Sequence, residues 1–258
     1  FKALNSGNKS INLFLCASVC SQAIKLGHAL ELLETQTLHS FLEYMKDLIQ
    51  QANEKKSKGI QKLVNDKRFM KAYTLASTSN LEHPKLEKLK EIIKLNLETN
   101  PKAKIIVFAQ FRDTVKKITD TLNKLENVKA TMFIGQAKKG DEAGLNQKQQ
   151  KEMIENFSKL DTNILVATSI GEEGLDLPEV NEVIFYEPVP SAIRTIQRRG
   201  RTARLMKGSL KILITRKTRD EAHHYASIAK EKRMHKVLGE MKDERENNIE
   251  EEKQKKLF

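Results

Sequence analysis

Residues 162–187 read "TNILVATSIGEEGLDLPEVNEVIFYE" and decide the fold class. The segment holds two short apolar runs rich in β-branched residues, "ILVA" and "VIF", separated by a polar loop that contains two glycines. Short apolar runs without polar alternation are typical of strands that are buried on both faces of a parallel sheet. The segment therefore predicts two strands of such a sheet, joined by a polar connection.

The pattern of short apolar strands continues in both directions along the chain, with helices between them. Upstream, the predicted strands "KIIVFA" and "VKATMFI" alternate with three amphipathic helices, "PKLEKLKEIIKLNLE", "DTVKKITDTLNKL" and "QKQQKEMIENFSK". Downstream, "SAIRTIQRRGR" predicts a helix and "LKILIT" a final strand. Strands that alternate with helices indicate βαβ units, so the predicted fold class is α/β, a parallel sheet flanked by helices.

The first eighty residues have a different character. They predict the helices "INLFLCASVCSQAIKLGHALELLE", "TLHSFLEYMKDLIQQA" and "IQKLVNDKRFMKAYTLA", with eleven basic and six acidic residues, a net charge of +5. "STSNLEHPKL" marks a boundary, because Pro84 is favourable at a helix start. We therefore predict an all-helical subdomain over 1–80, an α/β domain over 81–219, and a C-terminal helix with a frayed charged tail over 220–258.

Composition suggests the kind of partner. The chain has 258 residues and a net charge of +12, which favours a polyanionic partner, although a generally basic soluble protein would show the same balance. Cys16 and Cys20 lie four apart, so a helix would place both on one face, where buried free thiols are expected. No cysteine or histidine cluster has zinc spacing, so no metal site is predicted.

The sequence also predicts the compartment. It contains no signal peptide, and we find no apolar run that approaches the roughly 18 residues needed to cross a bilayer. The unpaired cysteines fit a reducing environment. We therefore expect an intracellular, cytoplasmic protein without a membrane segment.

Ligands bind outside the carboxyl ends of parallel strands, so the loops there are the first candidates for a site. After "ILVAT", Gly171 and Gly174 let the backbone approach a ligand, and Asp176 can accept a bond from a ribose hydroxyl. A plain loop with an N-capping acid is the alternative.

Two further loops carry candidate phosphate contacts. After "TMFI", Lys138 and Lys139 fit a nucleic-acid backbone, although a solvated loop fits equally well. After "IIVFA", Arg112 and Thr114 can donate to a phosphate. Alternatively, Asp113 or Thr114 merely caps the helix that follows.

The run "IQRRGRTAR" (196–204) concentrates arginine. If the preceding helix ends near Arg199, then Arg201 and Arg204 leave it three residues apart and can converge on one small anion. A solvated basic face is the alternative, but such a face usually interleaves glutamate, and none occurs between Arg194 and Arg204.

Together these segments resemble the second RecA-like domain of a superfamily 2 helicase or translocase. "IVFAQFRDT" is similar to motif IV, "ATSIGEEGLDLPEV" to motif V and "QRRGRTAR" to motif VI, in the family's order. "YEPVPSAIRTIQRRGRTAR" and "TRDEAHHYAS" look most like the archaeal Hef and FANCM branch, which is related to Dicer and the RIG-I-like RNA sensors. The resemblance covers residues 82 to about 234 and implies a RecA-like sheet preceded by a helical insertion.

The resemblance implies roles for individual residues. Arg201 and Arg204 would contact the γ-phosphate of ATP bound to the first RecA-like domain, with Gln197 sensing that phosphate. Gly174 and Asp176 would belong to the ATP site, with Asp176 on the ribose. Motifs IV and V would hold one strand of nucleic acid by its backbone, through Gln110, Phe111, Arg112, Thr168 and Ser169. Residues 1–80 would hold branched or duplex substrates. Ala203 stands where relatives often have glycine.

One departure limits what the chain can do. It contains no G-x-x-x-x-G-K-[ST] loop to cradle the phosphates of ATP, and no D-E-x-H run to hold Mg²⁺. ATP and Mg²⁺ would therefore be bound mainly by the missing first domain, the expected partner of this chain. We expect the chain alone not to hydrolyse ATP.

The sequence thus predicts the C-terminal motor half of an ATP-dependent helicase that remodels forked or branched DNA, with a role in DNA repair. A helicase directed to double-stranded RNA and a non-catalytic nucleic-acid-binding module are the alternatives. The terminal "QKKLF" also weakly resembles the start of a sliding-clamp-binding peptide.

Overall fold

A five-stranded parallel sheet forms the centre of the computed structural model, which describes residues 11–135, 147–159, 162–168, 180–188 and 209–255. The strand order is β2-β3-β1-β4-β5. The strands are β1 (Ile105–Phe108), β2 (Ala130–Phe133), β3 (Ile164–Ala167), β4 (Glu182–Phe185) and β5 (Ser209–Ile212). All five coincide with the predicted apolar runs, although β4 and β5 each begin one residue earlier, at Glu182 and Ser209. The α/β prediction is confirmed.

Helices cover both faces of the sheet. On one face lie α5 (Pro84–Thr99) and α6 (Arg112–Leu122), which pack against β1 and β3 through residues such as Leu89 and Ile118. On the other face lies α7 (Gln147–Ser158), whose Phe157 is fully buried. The three central strands are buried along their whole length, because apolar side chains from helices meet both of their faces.

The strand order creates a crevice at the carboxyl edge. The chain leaves β1 towards β2, on one side of the sheet, and leaves β4 towards β5, on the other side. β1 and β4 are neighbours, with Phe108 opposite Phe185. Between two such strands the connections diverge, and ligands of α/β proteins bind at this point.

In the described residues 11–77, four helices form a bundle: α1 (Ile11–Thr35), α2 (Leu38–Asn53), α3 (Lys58–Val64) and α4 (Lys67–Ser77). Their buried side chains, among them Phe41, Leu48 and Phe69, form a core separate from the two cores of the sheet. The sequence predicted one helix over the third segment, and this prediction is wrong. The chain breaks at Asn65, and Asp66 begins α4 as its N-cap, accepting a 2.8 Å hydrogen bond from the Arg68 N–H.

The first half of α1 lies on the surface. Cys16 and Cys20 are free and exposed, so the expectation of buried thiols is wrong. The physical reason is that only the end of the helix, around Ala29 and Leu32, reaches the bundle core.

By length and composition alone, α1 would suffice to cross a membrane, a feature that the sequence analysis did not anticipate. Signal sequences and the core helices of soluble proteins meet the same criterion, and only 6% of the apolar window of α1 is buried.

The last helix, α8 (Arg219–Lys255), is longer than expected. The sequence predicted a frayed tail after about residue 246, whereas the helix continues to Lys255. Mixed charges without apolar spacing do not prevent a helix, since glutamate and lysine are good helix formers. The helix predicted over residues 191–201 lies outside the described residues.

Candidate nucleic-acid interface

Arg112 lies at the carboxyl edge of the sheet, at the first position of α6. The strand β1 ends at Phe108, and three residues later the chain turns into the helix. The Arg112 Nη2 donates a 3.1 Å hydrogen bond to the carbonyl oxygen of Gly135, which follows β2. This hydrogen bond connects the start of α6 to the segment that follows β2.

Two polar atoms at this edge lack partners. Within the described residues, neither Arg112 Nη1 nor the Thr168 hydroxyl has a hydrogen bond, although both atoms are buried. Thr168 follows β3, and its N–H donates a 3.1 Å hydrogen bond to the Phe133 carbonyl oxygen. Leaving a buried donor unsatisfied costs about 1–3 kcal/mol, so an acceptor from a ligand would remove that cost at both positions.

The side chains of Phe111 and Gln110 lie in different environments. Phe111 packs against the core of the helical bundle, and its ring centroid lies 5.6 Å from that of His28. Gln110 is exposed. The structure therefore leaves Gln110 accessible to a ligand, while the bundle fixes the neighbouring phenylalanine.

Thr114 is not available to a phosphate. Its hydroxyl donates a 2.9 Å hydrogen bond to Gln36 Oε1 and lies 2.8 Å from the Ser40 hydroxyl. The expectation that Thr114 either binds phosphate or caps α6 is wrong. The cap position is Phe111, which makes no side-chain cap, and the first turn of α6 is instead held against α2.

A groove of about 540 Å³ lies beside Phe111 and is lined largely by α2 residues. Its polar lining includes three carboxylates, Glu43, Asp47 and Asp113, against the single lysine Lys116. An excess of negative charge repels phosphate, so the groove does not extend the candidate interface around Arg112.

A buried polar network joins the bundle to the sheet. Its centre is Lys85, in the first turn of α5, whose ammonium forms an ion pair with Asp220 of α8 and donates a 3.0 Å hydrogen bond to the Thr35 carbonyl oxygen. The same ammonium lies 5.3 Å from the ring centre of Tyr186. Burial lowers the pKa of Lys85, and the charges of Asp220 and Glu187 oppose that shift.

The network continues through Gln36, between α1 and α2. Gln36 Nε2 donates to Glu187 Oε2 over 3.4 Å. Lys85, Asp220, Glu187 and Gln36 are all at most 5% exposed. Four polar side chains from four separate segments are therefore withdrawn from water at the boundary between bundle and sheet, and they satisfy one another.

His83 caps α5 next to this network. Its Nδ1 accepts a 3.2 Å hydrogen bond from the Lys85 N–H, and its Nε2 lies 2.9 Å from the Glu34 carbonyl oxygen. Only a neutral ring with its proton on Nε2 serves both contacts. Burial lowers the pKa of His83, as does Lys85, against the opposing effects of the Glu34 carbonyl, Asp220 and Glu82.

We therefore predict that the chain loses stability as the pH falls below about 6.5, the ordinary pKa of histidine. Because the folded-state pKa is depressed, the unfolded state takes up the proton first, and the free energy of unfolding falls through this window. His83→Asn keeps a cap acceptor but does not titrate, so it should flatten the dependence between pH 7 and pH 5 in urea unfolding. His235→Asn, at an exposed histidine of α8, is the control. An equal pH dependence in wild type and His83→Asn would contradict the assignment.

The remaining predicted site residues lie outside the described residues. They are Lys138, Lys139, Ser169, Gly174, Asp176, Gln197, Arg201 and Arg204. Their roles stay predictions. Of the predicted nucleic-acid residues, the structure brings Arg112 and Thr168 to one edge of the sheet.

Sequence reasoning missed the polar network. One local signal was available: Lys85 lies in the first turn of α5, where a cation opposes the helix dipole, so a lysine there suggests a specific partner. The identity of that partner, 135 positions away at Asp220, has no local signature.

Comparison with known proteins agrees with an α/β domain that is preceded by a helical bundle. Residues 84–206 match the family model "Helicase conserved C-terminal domain", and residues 4–83 match a helical-bundle model of ATP-dependent RNA helicases. The structure resembles the Pyrococcus furiosus Hef helicase domain with a TM-score of 0.67 and 45% sequence identity, over 88% of this chain and 46% of that chain.

Two curated relatives are similar over most of this chain. The Methanocaldococcus jannaschii protein MJ1505, named for an ATP-dependent RNA helicase, is 47% identical over 86% of this chain. The Schizosaccharomyces pombe protein fml2, named for an ATP-dependent DNA helicase, is 37% identical over 78% of this chain. The matches span 28% and 27% of the lengths of these two relatives.

Proposed function

Because this chain belongs to the superfamily 2 helicases, with their conserved C-terminal domain behind a helical bundle and with Hef and fml2 among its relatives, we propose that it is one motor half of an ATP-dependent helicase. It acts on forked or branched DNA inside the cell. The division at about residue 80 separates a bundle that holds the substrate from a RecA-like domain that moves along it.

The observation that carries the proposal is the pair of unsatisfied buried groups, Arg112 Nη1 and the Thr168 hydroxyl. Both lie at the carboxyl edge of the sheet, where parallel sheets bind ligands. A phosphate offers several acceptor oxygens to an arginine and a hydroxyl. With the net charge of +12, these two donors support binding of a nucleic-acid backbone.

The ATP-facing side of the proposal rests on the arginine run. Arg201 and Arg204 reach the γ-phosphate of ATP on the first RecA-like domain, Gln197 senses it, and Asp176 with Gly174 contacts the nucleoside. ATP bound between the domains draws them together, and its hydrolysis lets them separate. Mg²⁺ is held by the first domain, so this chain alone is inactive as an ATPase.

We predict that Arg112→Ala weakens binding of single-stranded DNA by the chain about tenfold, since a hydrogen bond to a charged group is worth about 1.5–3 kcal/mol and 1.4 kcal/mol is a factor of ten. The slope of log affinity against log salt should fall by about one, because one phosphate contact is lost. Fluorescence anisotropy at several salt concentrations measures both quantities. Lys124→Ala removes the same charge from an exposed position beyond the other end of α6 and should change the affinity less than twofold. Equal affinity and slope in Arg112→Ala and wild type would remove Arg112 from the interface.

A second candidate substrate is RNA, since the Methanocaldococcus jannaschii relative is named for an ATP-dependent RNA helicase, and double-stranded RNA is the form that the sequence analysis proposed. Competition between forked DNA and duplex RNA for the chain at one salt concentration separates the two. We expect forked DNA to displace duplex RNA, and the reverse order would assign the RNA substrate. Forked DNA that competes no better than unbranched duplex would count against the fork preference.

A further inference from the structure

Gln150 is a polar side chain on the core-facing side of α7. Three apolar residues further along the helix pack on the sheet: Met153, Ile154 and Phe157. Residues three, four and seven positions apart share one face of a helix, so Gln150 belongs to the same face. It is 3% exposed, at a position where an apolar side chain would not have to withdraw an amide from water. A glutamine at such a position indicates a specific hydrogen-bond partner.

That partner lies in the β2 end (residues 133–135). Gln150 Nε2 donates a 3.1 Å hydrogen bond to the carbonyl oxygen of Ile134, which is 4% exposed. Within the described residues the ladder between β2 and β3 ends with the bond from the Thr168 N–H to the Phe133 carbonyl oxygen, one residue earlier. Gln150 therefore satisfies a buried acceptor that lies just beyond the ladder.

The residues on either side of that acceptor hold the two candidate phosphate donors. The Phe133 carbonyl oxygen accepts a 3.1 Å hydrogen bond from the Thr168 N–H, and the Gly135 carbonyl oxygen accepts a 3.1 Å hydrogen bond from Arg112 Nη2. In the part of the chain that the structure describes, Arg112 and Gln150 are the side chains that bond to the backbone of the β2 end. The β2 end is thus a common support for both donors, and Gln150 fastens it to α7.

We propose that Gln150 is a positioning residue for nucleic-acid binding, which holds the β2 end so that Arg112 and Thr168 present their unpaired donors at the carboxyl edge of the sheet. The inference rests on the proposed function. It adds a residue that strengthens binding without contacting the nucleic acid.

The planarity of the peptide group carries the effect from one residue to the next. The bond from Gln150 to the Ile134 carbonyl oxygen fixes the plane of the peptide group that ends at the Gly135 nitrogen. The following carbonyl, that of Gly135, is the acceptor that orients the Arg112 guanidinium. Without a donor from α7, the buried Ile134 carbonyl oxygen is unsatisfied, which favours a backbone arrangement that exposes it to water. Gly135 then moves as well, and the guanidinium loses its orientation.

Gln150→Met tests the inference, because methionine has a similar length but offers no donor. Binding of single-stranded DNA by the chain should weaken about fivefold, since an oriented hydrogen bond to a charged phosphate is lost while the guanidinium charge remains. The slope of log affinity against log salt should fall by more than half of the decrease expected for Arg112→Ala. The substitution removes no charge, so a lower slope reports the loss of a phosphate contact made by another residue. Fluorescence anisotropy at several salt concentrations measures both quantities, and thermal melting checks that the variant is folded.

A double-mutant cycle identifies the residue through which Gln150 acts. Adding Gln150→Met to Arg112→Ala should lower the affinity by less than a further twofold, because the charged group that it positions is already absent. A further fivefold loss on that background would mean that the two residues act independently, and would overturn the inference. Gln150→Asn keeps the amide on a shorter side chain and should weaken binding in the same direction. It decides the test if Gln150→Met does not fold.

Asn123→Ala is the matched control at the opposite end of the same strand. The Asn123 side chain accepts a 2.7 Å hydrogen bond from the Ala130 N–H and donates a 3.0 Å hydrogen bond to the Ala130 carbonyl oxygen. Its replacement weakens the attachment of β2 but leaves the bonds of Gln150 and Arg112 in place. The affinity should stay within twofold of wild type, with an unchanged salt slope. An equal loss in this variant would mean that any weakening of β2 disturbs binding, and would overturn the specific role of Gln150.

The remaining outcomes separate this inference from the proposed function. If Arg112→Ala binds single-stranded DNA as tightly as wild type, the proposed interface fails, and the positioning role fails with it. If Arg112→Ala weakens binding but folded Gln150→Met and Gln150→Asn keep the wild-type affinity and slope, the interface stands and the positioning role is wrong. If Gln150→Met lowers the affinity without changing the slope, it does not act through a phosphate contact, and the inference is also overturned.

Discussion

Replacing Arg201 or Arg204 with alanine in the protein that carries both RecA-like domains will abolish ATP hydrolysis while nucleic-acid binding persists. An arginine placed against a transferring phosphoryl group contributes about 10³–10⁵ in rate, because it neutralises charge that develops in the transition state. Affinity for nucleic acid should stay within about threefold of wild type, since the proposed backbone contacts belong to other residues, such as Arg112. Under this proposal the run from 196 to 204 divides into an ATP-facing pair, Arg201 and Arg204, and two further arginines, Arg198 and Arg199.

Single-turnover ATP hydrolysis and anisotropy binding, measured on the same preparations, check this expectation. Arg201→Lys keeps the charge but loses the bidentate fork, so it should retain more activity than alanine and less than arginine. Arg216→Ala removes an exposed arginine after β5 and serves as the control, with activity within twofold of wild type. Wild-type turnover in either alanine variant would remove the proposed role. Equal loss of binding and hydrolysis would instead mean that the run contacts nucleic acid.

The strands were predictable because their signal is local. Ile105 to Phe108 and Ile164 to Ala167 are continuous apolar runs, and such runs between amphipathic helices leave few folds other than a parallel sheet. The position of Arg112 at the carboxyl edge of the sheet was predictable for the same reason, since the end of a strand can be located along the chain. Its contact with nucleic acid stays a prediction. The break at Asn65 was not found, because an aspartate inside an amphipathic pattern looks like a surface residue as readily as an N-cap.

The contacts between bundle and sheet were not predictable from local pattern. Gln36 and Glu187 are separated by 151 positions, and nothing in either neighbourhood specifies the other. Thr114 shows the consequence: a hydroxyl at the start of a helix suggests a cap or a phosphate contact, whereas folding places Ser40 and Gln36 against it. The wrong prediction for the two cysteines has the same cause. The spacing of apolar residues predicts an apolar helix face, but it does not predict whether another segment covers that face.

Lys85→Met should lower the free energy of unfolding of this chain by about 3–5 kcal/mol, the cost of breaking a buried ion pair by removing one partner. Methionine has a similar volume, so packing is preserved while Asp220 and Glu187 lose the buried cation between them. Asp220→Asn should cost less, because Lys85 keeps the charge of Glu187 and the Thr35 carbonyl oxygen. The loss of stability should therefore be larger for Lys85→Met than for Asp220→Asn, because Lys85 lies at the centre of the network.

Urea unfolding at pH 7 provides the measurement. Lys88→Met on the same helix removes a lysine from an exposed 2.7 Å pair with Glu91, and such pairs contribute about 0–1 kcal/mol. If Lys85→Met lowers the free energy of unfolding no more than Lys88→Met does, the buried network is neutral for stability. The buried charges would then serve only to fix the bundle on the sheet, and the fold would depend on its three apolar cores.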